Sequence, residues 1–161
     1  MSSHGAPTFT VDASGIRVAV IASLWHTEVM DGLIAGAHQA CTEAGAVATL
    51  IRVPGSFELP IMAKACASSL EYDVVVALGV VIRGGTPHFD YVCSATSHAL
   101  AQVALDFLVP LGFGLLTCDT EAQALDRAGL PSSKENKGLE ATQAALLTWQ
   151  TLSGIAGEQS R

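Results

Sequence analysis

The chain has 161 residues, half of them hydrophobic and only 14% charged, so one domain with a substantial core is expected and disorder is excluded. Its formal charge is −7 and its 8 Lys and Arg residues do not cluster, which excludes the basic footprint that nucleic acid or an anionic membrane surface requires. So little polar material covers so small a globule that contacts between subunits are expected. Residues 1–13 read as a flexible N-terminal arm, with Thr8 to Val11 extended and able to pair with another subunit's sheet edge. Residues 14–161 read as a single domain. Arg17 to Ser23 is a β-branched, apolar strand. From His26 to Ala44 apolar residues recur at helical spacing, and Gly45 fits the exit. Val47 to Val53 is a second strand, and Leu59 to Leu70 a helix with Pro60 in its first turn. After Asp73 the run VVVALGVVI has the continuous hydrophobicity of a strand buried on both faces of a parallel sheet. A glycine-rich loop leads into a helix from Asp90 to Phe107, and Pro110 to Thr117 is the fourth strand. Thr120, with Gln123 three residues on, makes a capping-box start for a short helix through Ala128. A loop over Gly129 to Asn136 precedes a last helix from Gly138 to Leu152 and a polar, frayed tail.

Strand and helix thus alternate four times, which predicts an α/β fold: a three-layer αβα sandwich around a four-stranded parallel sheet, in the flavodoxin-like order 2-1-3-4. No span of about twenty apolar residues is visible, because polar residues interrupt the uncharged stretch from Ala141 to Gly157. The first fifteen residues lack the pattern of a secretory signal. Cys41, Cys66, Cys93 and Cys118 form no CxxC pair and read as buried thiols in a reducing, cytoplasmic compartment rather than disulfides or zinc ligands.

In such a sheet ligands bind beyond the carboxyl ends of the strands. Those ends carry Ser23-Leu24-Trp25-His26, Pro54-Gly55-Ser56-Phe57-Glu58 and Arg83-Gly84-Gly85-Thr86-Pro87-His88, so the unusual residues converge on one edge. Trp25 is equally a hydrophobic staple for the helix entry or a stacking plate for a planar ring. His26 reads as a helix cap. Ser56 can cap the next helix and Glu58 suits its positive end, or the turn can bind a polyhydroxyl chain. Gly84-Gly85-Thr86 offers backbone donors for an anion nest, without the P-loop or dinucleotide patterns. His88, beside that nest, is placed to move protons near neutral pH. No third ligand accompanies His88 and Asp90, so no metal site is expected. In a chain so poor in cations, Arg127 and Lys137 are candidates for holding an anionic substrate.

Three segments together resemble the lumazine synthase family: VPGSFELP at Val53 to Pro60, LGVVIRGGTPHFDYVC at Leu78 to Cys93, and DRAGLPSSKENKG at Asp126 to Gly138. The likeness runs from about Ser14 to Leu152, and its middle segment is highly specific. It implies condensation of 5-amino-6-(D-ribitylamino)uracil with 3,4-dihydroxy-2-butanone 4-phosphate to 6,7-dimethyl-8-ribityllumazine, phosphate and water, the penultimate step of riboflavin biosynthesis. No metal or redox cofactor is implied. By the same resemblance Trp25 stacks on the pyrimidine, and Ser56, Phe57 and Glu58 bind the ribityl chain. Val80, Val81 and Ile82 read the pyrimidine edge through their backbone. Gly85, Thr86 and Arg127 hold the phosphate, His88 transfers protons, and Phe113 and Lys137 wall the site, with Phe113 and Arg127 coming from a neighbouring subunit.

Two departures matter. Gly85 replaces a side chain present in some members, leaving the phosphate to the backbone. The loop LPSSKENKG is slightly longer than in members that build sixty-subunit shells, which favours a pentamer or a pair of pentamers. The implied chemistry begins with attack of the uracil's amino group on the ketone to form an imine. Phosphate then leaves, the enol rearranges, and the ribitylamino nitrogen closes the ring. A non-catalytic flavin-binding module is the first rival, a shell-forming scaffold the second, and a phosphoacceptor domain a distant third. Retention of Thr86, His88 and Arg127 together argues against the first.

Overall fold

The computed structural model describes residues 10–158. Arg17–Ser23 (β1), Val47–Val53 (β2), Val74–Ile82 (β3) and Leu111–Cys118 (β4) form one sheet ordered β2-β1-β3-β4, with every neighbouring pair parallel. The fold class, strand order and helix-covered sheet are those the sequence predicts. The bounds of β1, β2 and β3 also agree, because each is rich in β-branched and apolar residues and is followed by a turn or a charge.

The helices are Thr27–Ala44 (α1), Leu59–Ser69 (α2), His88–Phe107 (α3), Glu121–Leu125 (α4) and Lys137–Glu158 (α5). Alternation along β3 sorts its side chains between two cores. Val74, Val76, Leu78 and Val80 join Val18, Val20 and Ala22 in a cluster with Met30 and Leu33 of α1 and Leu146 of α5. Val75 and Ala77 join Ala19 and Ile21 with Leu59 and Ala63 of α2 and Leu100 and Val103 of α3. The sheet is therefore sandwiched, as an uncharged β3 requires. At one edge β2 leaves Val47 and Leu50 exposed.

Most of the expected arm lies outside the described residues. Of its end, Val11 and Ala13 are buried in the α1–α5 cluster, and the Ala13 N–H donates to Ala44 O at 2.8 Å. Helix α1 ends at Gly45, whose φ of 74° is the left-handed conformation that glycine reaches without steric cost. Helices α1 and α5 cross so closely that a Cβ on Gly138 would lie 2.0 Å from Leu33 O.

Several ends differ from expectation. α3 begins two residues early, at His88. α4 stops at Leu125, because Arg127 N–H and Ala128 N–H bond to Ala124 O and Leu125 O in tighter turns. The Thr120 cap forms, accepting from Gln123 N–H at 3.3 Å, but Gln123 Oε1 accepts from Asp119 N–H rather than from Thr120. The last helix runs to Glu158 through the stretch expected to fray, since no proline interrupts it.

Candidate functional site

The loops after β1, β2 and β3 leave the sheet on one edge, and the register shows what lies between them. β1 pairs with β3 only as far as Leu78, whereas β4 accompanies β3 to Ile82. The last four residues of β3 therefore have no strand on their β1 side. The N–H groups of Val75 and Arg83 donate to Pro110 O and Cys118 O, so odd-numbered residues turn their backbone toward β4. By alternation Val80 and Ile82 turn theirs to the open side, and Val81 faces β4. This is a strand edge within the sheet, suited to pairing with the polar edge of a flat heterocycle.

The turn after β2 is tied to this strip. Ser56 opens a 3-10 turn, Ser56–Glu58, and its buried hydroxyl donates to Val80 O at 3.2 Å. The hydroxyl does not cap α2, as the local sequence suggests, because a carbonyl 24 residues away claims it. Glu58 occupies the α2 N-cap position without a side-chain capping bond.

Trp25 stands over the same turn. A Cβ placed on Gly55 would lie 4.0 Å from Cδ1 and Nε1 of Trp25 and 3.1 Å from Oε2 of Glu58. Trp25 is 68% exposed, leaving a ring face available to a second ring. His26 does not cap α1 with its side chain; it turns the chain with φ 58° instead.

Phe57 and His88 share an open pocket of about 420 Å³ with Tyr91, Val92 and Ala95. The local sequence did not single out the last three. Helical spacing from His88 is the signal that finds them, since positions three, four and seven residues on share its face. Before His88, Gly84, Gly85 and Thr86 are exposed, and Cβ atoms added at the two glycines would meet nothing within 4 Å. Neither glycine has a positive φ, so the loop lacks the alternating conformation of a nest. Its anion-binding capacity rests instead on backbone donors at the start of α3.

Arg83 organises this corner. Its Nε donates to Asp119 Oδ1 at 2.7 Å, its Nη1 lies 3.2 Å from Asp90 Oδ1, and its Cζ sits 4.1 Å from the Phe89 ring centroid. Asp90 is thus engaged by a cation, and among the described residues no group of three His, Cys, Asp or Glu is arranged to hold a metal.

The remaining candidates lie elsewhere. Arg127 is half-buried, with Nη1 donating to Gln123 O at 2.9 Å. Its neighbours Ala124 and Ala128 pack into the α1–α5 cluster, across the sheet from α2 and α3. Phe113 pairs with Ala77, five residues before the Ile82–Cys118 end of the β3–β4 ladder. At ~3.3 Å per residue that is about 16 Å from the crevice edge of its own chain. Lys137 Nζ is held by Glu135 at 2.8 Å and Glu140 at 2.6 Å. Burial opposes its charge, but hydrogen bonds to both carboxylates outweigh that and raise its pKa.

Cys41, Cys66 and Cys118 are buried and Cys93 half-buried. Burial pushes the Cys41 thiol up to about 11 and raises the other three, so none is poised as a nucleophile. No described helix is long and apolar enough to cross a membrane.

Residues 15–153 match the family model described as 6,7-dimethyl-8-ribityllumazine synthase. A protein of that name from Nocardioides sp. is 64% identical over 154 residues, covering 94% of this chain and 95% of its own. Those of Paenarthrobacter aurescens and Streptomyces coelicolor are each 58% identical, covering 94% and 97% of this chain and 98% of their own lengths.

Proposed function

The chain belongs to the 6,7-dimethyl-8-ribityllumazine synthase family, and we propose that it carries out that family's reaction in the crevice beyond β1, β2 and β3. It condenses 5-amino-6-(D-ribitylamino)uracil with 3,4-dihydroxy-2-butanone 4-phosphate, a transferase step of riboflavin biosynthesis. The observation that carries the site assignment is the unpaired end of β3 between Trp25, the Ser56–Glu58 turn and the Phe57–His88 pocket.

The uracil lies with its polar edge along the backbone of Val80 and Ile82, while Val81 helps hold that strip against β4. Trp25 covers one ring face. The ribityl chain runs over Ser56, Phe57 and Glu58, whose carboxylate and turn amides suit hydroxyl groups. The phosphate of the second substrate sits near Gly85 and Thr86, and Arg127 of a neighbouring subunit supplies a charge-assisted fork. Phe113 enters from the same neighbour, for which its ~16 Å offset from its own crevice is the support. Lys137 acts as a wall residue rather than an anion ligand, since two carboxylates already hold it.

The uracil's amino nitrogen attacks the ketone, and loss of water gives the imine. Elimination of phosphate leaves an enol, which tautomerises before the ribitylamino nitrogen closes the ring with loss of a second water. Holding two reactive molecules in register supplies most of the acceleration. His88, beside the phosphate, moves protons during imine formation and elimination. No metal or redox cofactor has a role in these steps.

The enzyme works in the cytoplasm as a pentamer or pair of pentamers. Exposed Phe57, Ile61, Leu105, Phe107, Leu108 and Phe113 support burial between subunits.

Fluorescence titration with the lumazine product tests the site. Binding should quench Trp25, with Trp149 left as the residual signal in Trp25→Ala, whose affinity should fall by about 1–3 kcal/mol, the worth of a stacked base. Undiminished quenching in Trp25→Ala would remove Trp25 from the site.

A further inference from the structure

Arg83 is a charged group of this edge to which the residues assigned to the reaction leave no role. Its guanidinium lies where the two sides of the sheet meet. On one side it reaches Asp90 in the first turn of α3, two residues after His88, and packs on Phe89, the residue between them. On the other it holds Asp119, the residue before the Thr120 cap of α4, at 2.7 Å. Its own N–H donates to Cys118 O at 2.9 Å, so its backbone is locked to the end of β4.

From Asp119 the connection continues. The Asp119 N–H donates to Gln123 Oε1 at 2.8 Å, and Gln123 O accepts from Arg127 Nη1 at 2.9 Å. A chain of direct bonds thus runs from the start of the His88 helix through Arg83 to Arg127. A lone exposed ion pair has little orienting power. Here one planar cation is fixed by two carboxylates, an aromatic face and its own backbone, which restricts it in several directions at once.

We propose that Arg83 is a positioning residue that serves two active sites, setting His88 for the site of its own subunit and Arg127 for the site of the next. The inference rests on the division of each site between two chains given above. Arg83 touches neither substrate. Asp90 is the arm that orients the His88 helix, and Asp119 the arm that orients the α4 segment carrying Arg127. The two arms should therefore separate kinetically.

The experiment is steady-state kinetics of the intact oligomer for Asp90→Asn, Asp119→Asn, Arg83→Ala and Arg83→Lys, with Arg127→Ala as reference. Asp119→Asn should raise KM for the butanone phosphate about fivefold with kcat within twofold, and Asp90→Asn should lower kcat about fivefold with KM within twofold. Arg83→Ala should show both defects. Arg83→Lys should recover only part, because an ammonium keeps the charge but lacks the planar fork. Arg127→Ala separates the two layers of the inference: if it leaves KM for the phosphate substrate unchanged, the assignment of Arg127 to the site fails. If it raises that KM while Asp119→Asn and Arg83→Ala are wild type in both parameters, the positioning role fails. Equal loss of kcat in all four variants, tracking a lowered melting temperature, would show a purely structural role and also overturn it.

Discussion

The proposed sharing of each site between neighbouring chains predicts a quantitative outcome for mixed oligomers. His88 starts α3 on one side of the sheet, whereas the residues flanking Arg127 pack on the other and Phe113 lies about 16 Å down the β4 edge. Suppose His88→Ala and Arg127→Ala chains are co-expressed in equal amounts and mix at random in a ring. A site is complete only where an Arg127→Ala chain supplies its natural His88 and the next chain, His88→Ala, supplies its natural Arg127. Each condition holds for half the chains, so about a quarter of the interfaces are restored, whatever the ring size. Taken alone, His88→Ala should retain about one to ten per cent of wild-type kcat, since general acid–base help is lost but positioning survives. Arg127→Ala should be impaired mainly in KM for the phosphate substrate. Mixed rings, verified by native mass spectrometry, should reach about a quarter of wild-type turnover at limiting phosphate substrate, several times the mean of the separate variants. If both residues belonged to one chain, no mixture could rebuild a site. Verified mixed rings with only mean activity would refute the shared arrangement.

Two further perturbations follow from the bonds. Ser56→Ala removes the hydroxyl that holds the turn to Val80 O; denaturant unfolding should show a loss of about 1 kcal/mol, with KM for the uracil rising several-fold and KM for the butanone phosphate unchanged. No loss in either readout would contradict the link between turn and strip. The Arg17–Asp73 pair joins the start of β1 to the entry of β3, and Arg17's hydrogen bond holds the Asp73 carboxyl below its ordinary 3.8. A depressed carboxylate pKa stabilises the fold fully above the unfolded value and loses that contribution as pH falls through the folded value. Urea melts should therefore show Asp73→Asn weaker than wild type by about 1 kcal/mol or less at pH 7, because the pair is partly exposed, with the gap closing below about pH 4. A gap that persisted or widened in acid would be inconsistent with this pairing.

The order of the elements was legible because each strand is rich in β-branched and apolar residues with a charge or turn residue near its end, and β3 is apolar on both faces. Knowing the order, the parallel-sheet rule brings Trp25, Ser56 and His88 to one edge without further information. Local pattern failed where a distant partner decides. Ser56 has every local qualification for a helix cap, yet its hydroxyl goes to Val80 O. His26 likewise serves through its backbone, at φ 58°. Arg83 reads as one of a few scattered cations until Asp90 and Asp119 are seen to converge on it. Lys137, Glu135 and Glu140 lie within six residues, so their pairing is a local feature, whereas the scarcity of cations makes Lys137 read as a free charge. Phe113 was placed by resemblance alone. Its distance from the crevice emerged only from the register of β4 on β3.

The most direct test of the assigned chemistry is the initial rate of lumazine formation when the purified chain meets both substrates in the presence of EDTA, followed by absorbance and fluorescence. A rate well above the spontaneous condensation, unchanged by the chelator, is the expected result. A rate no faster than that background would contradict the assignment.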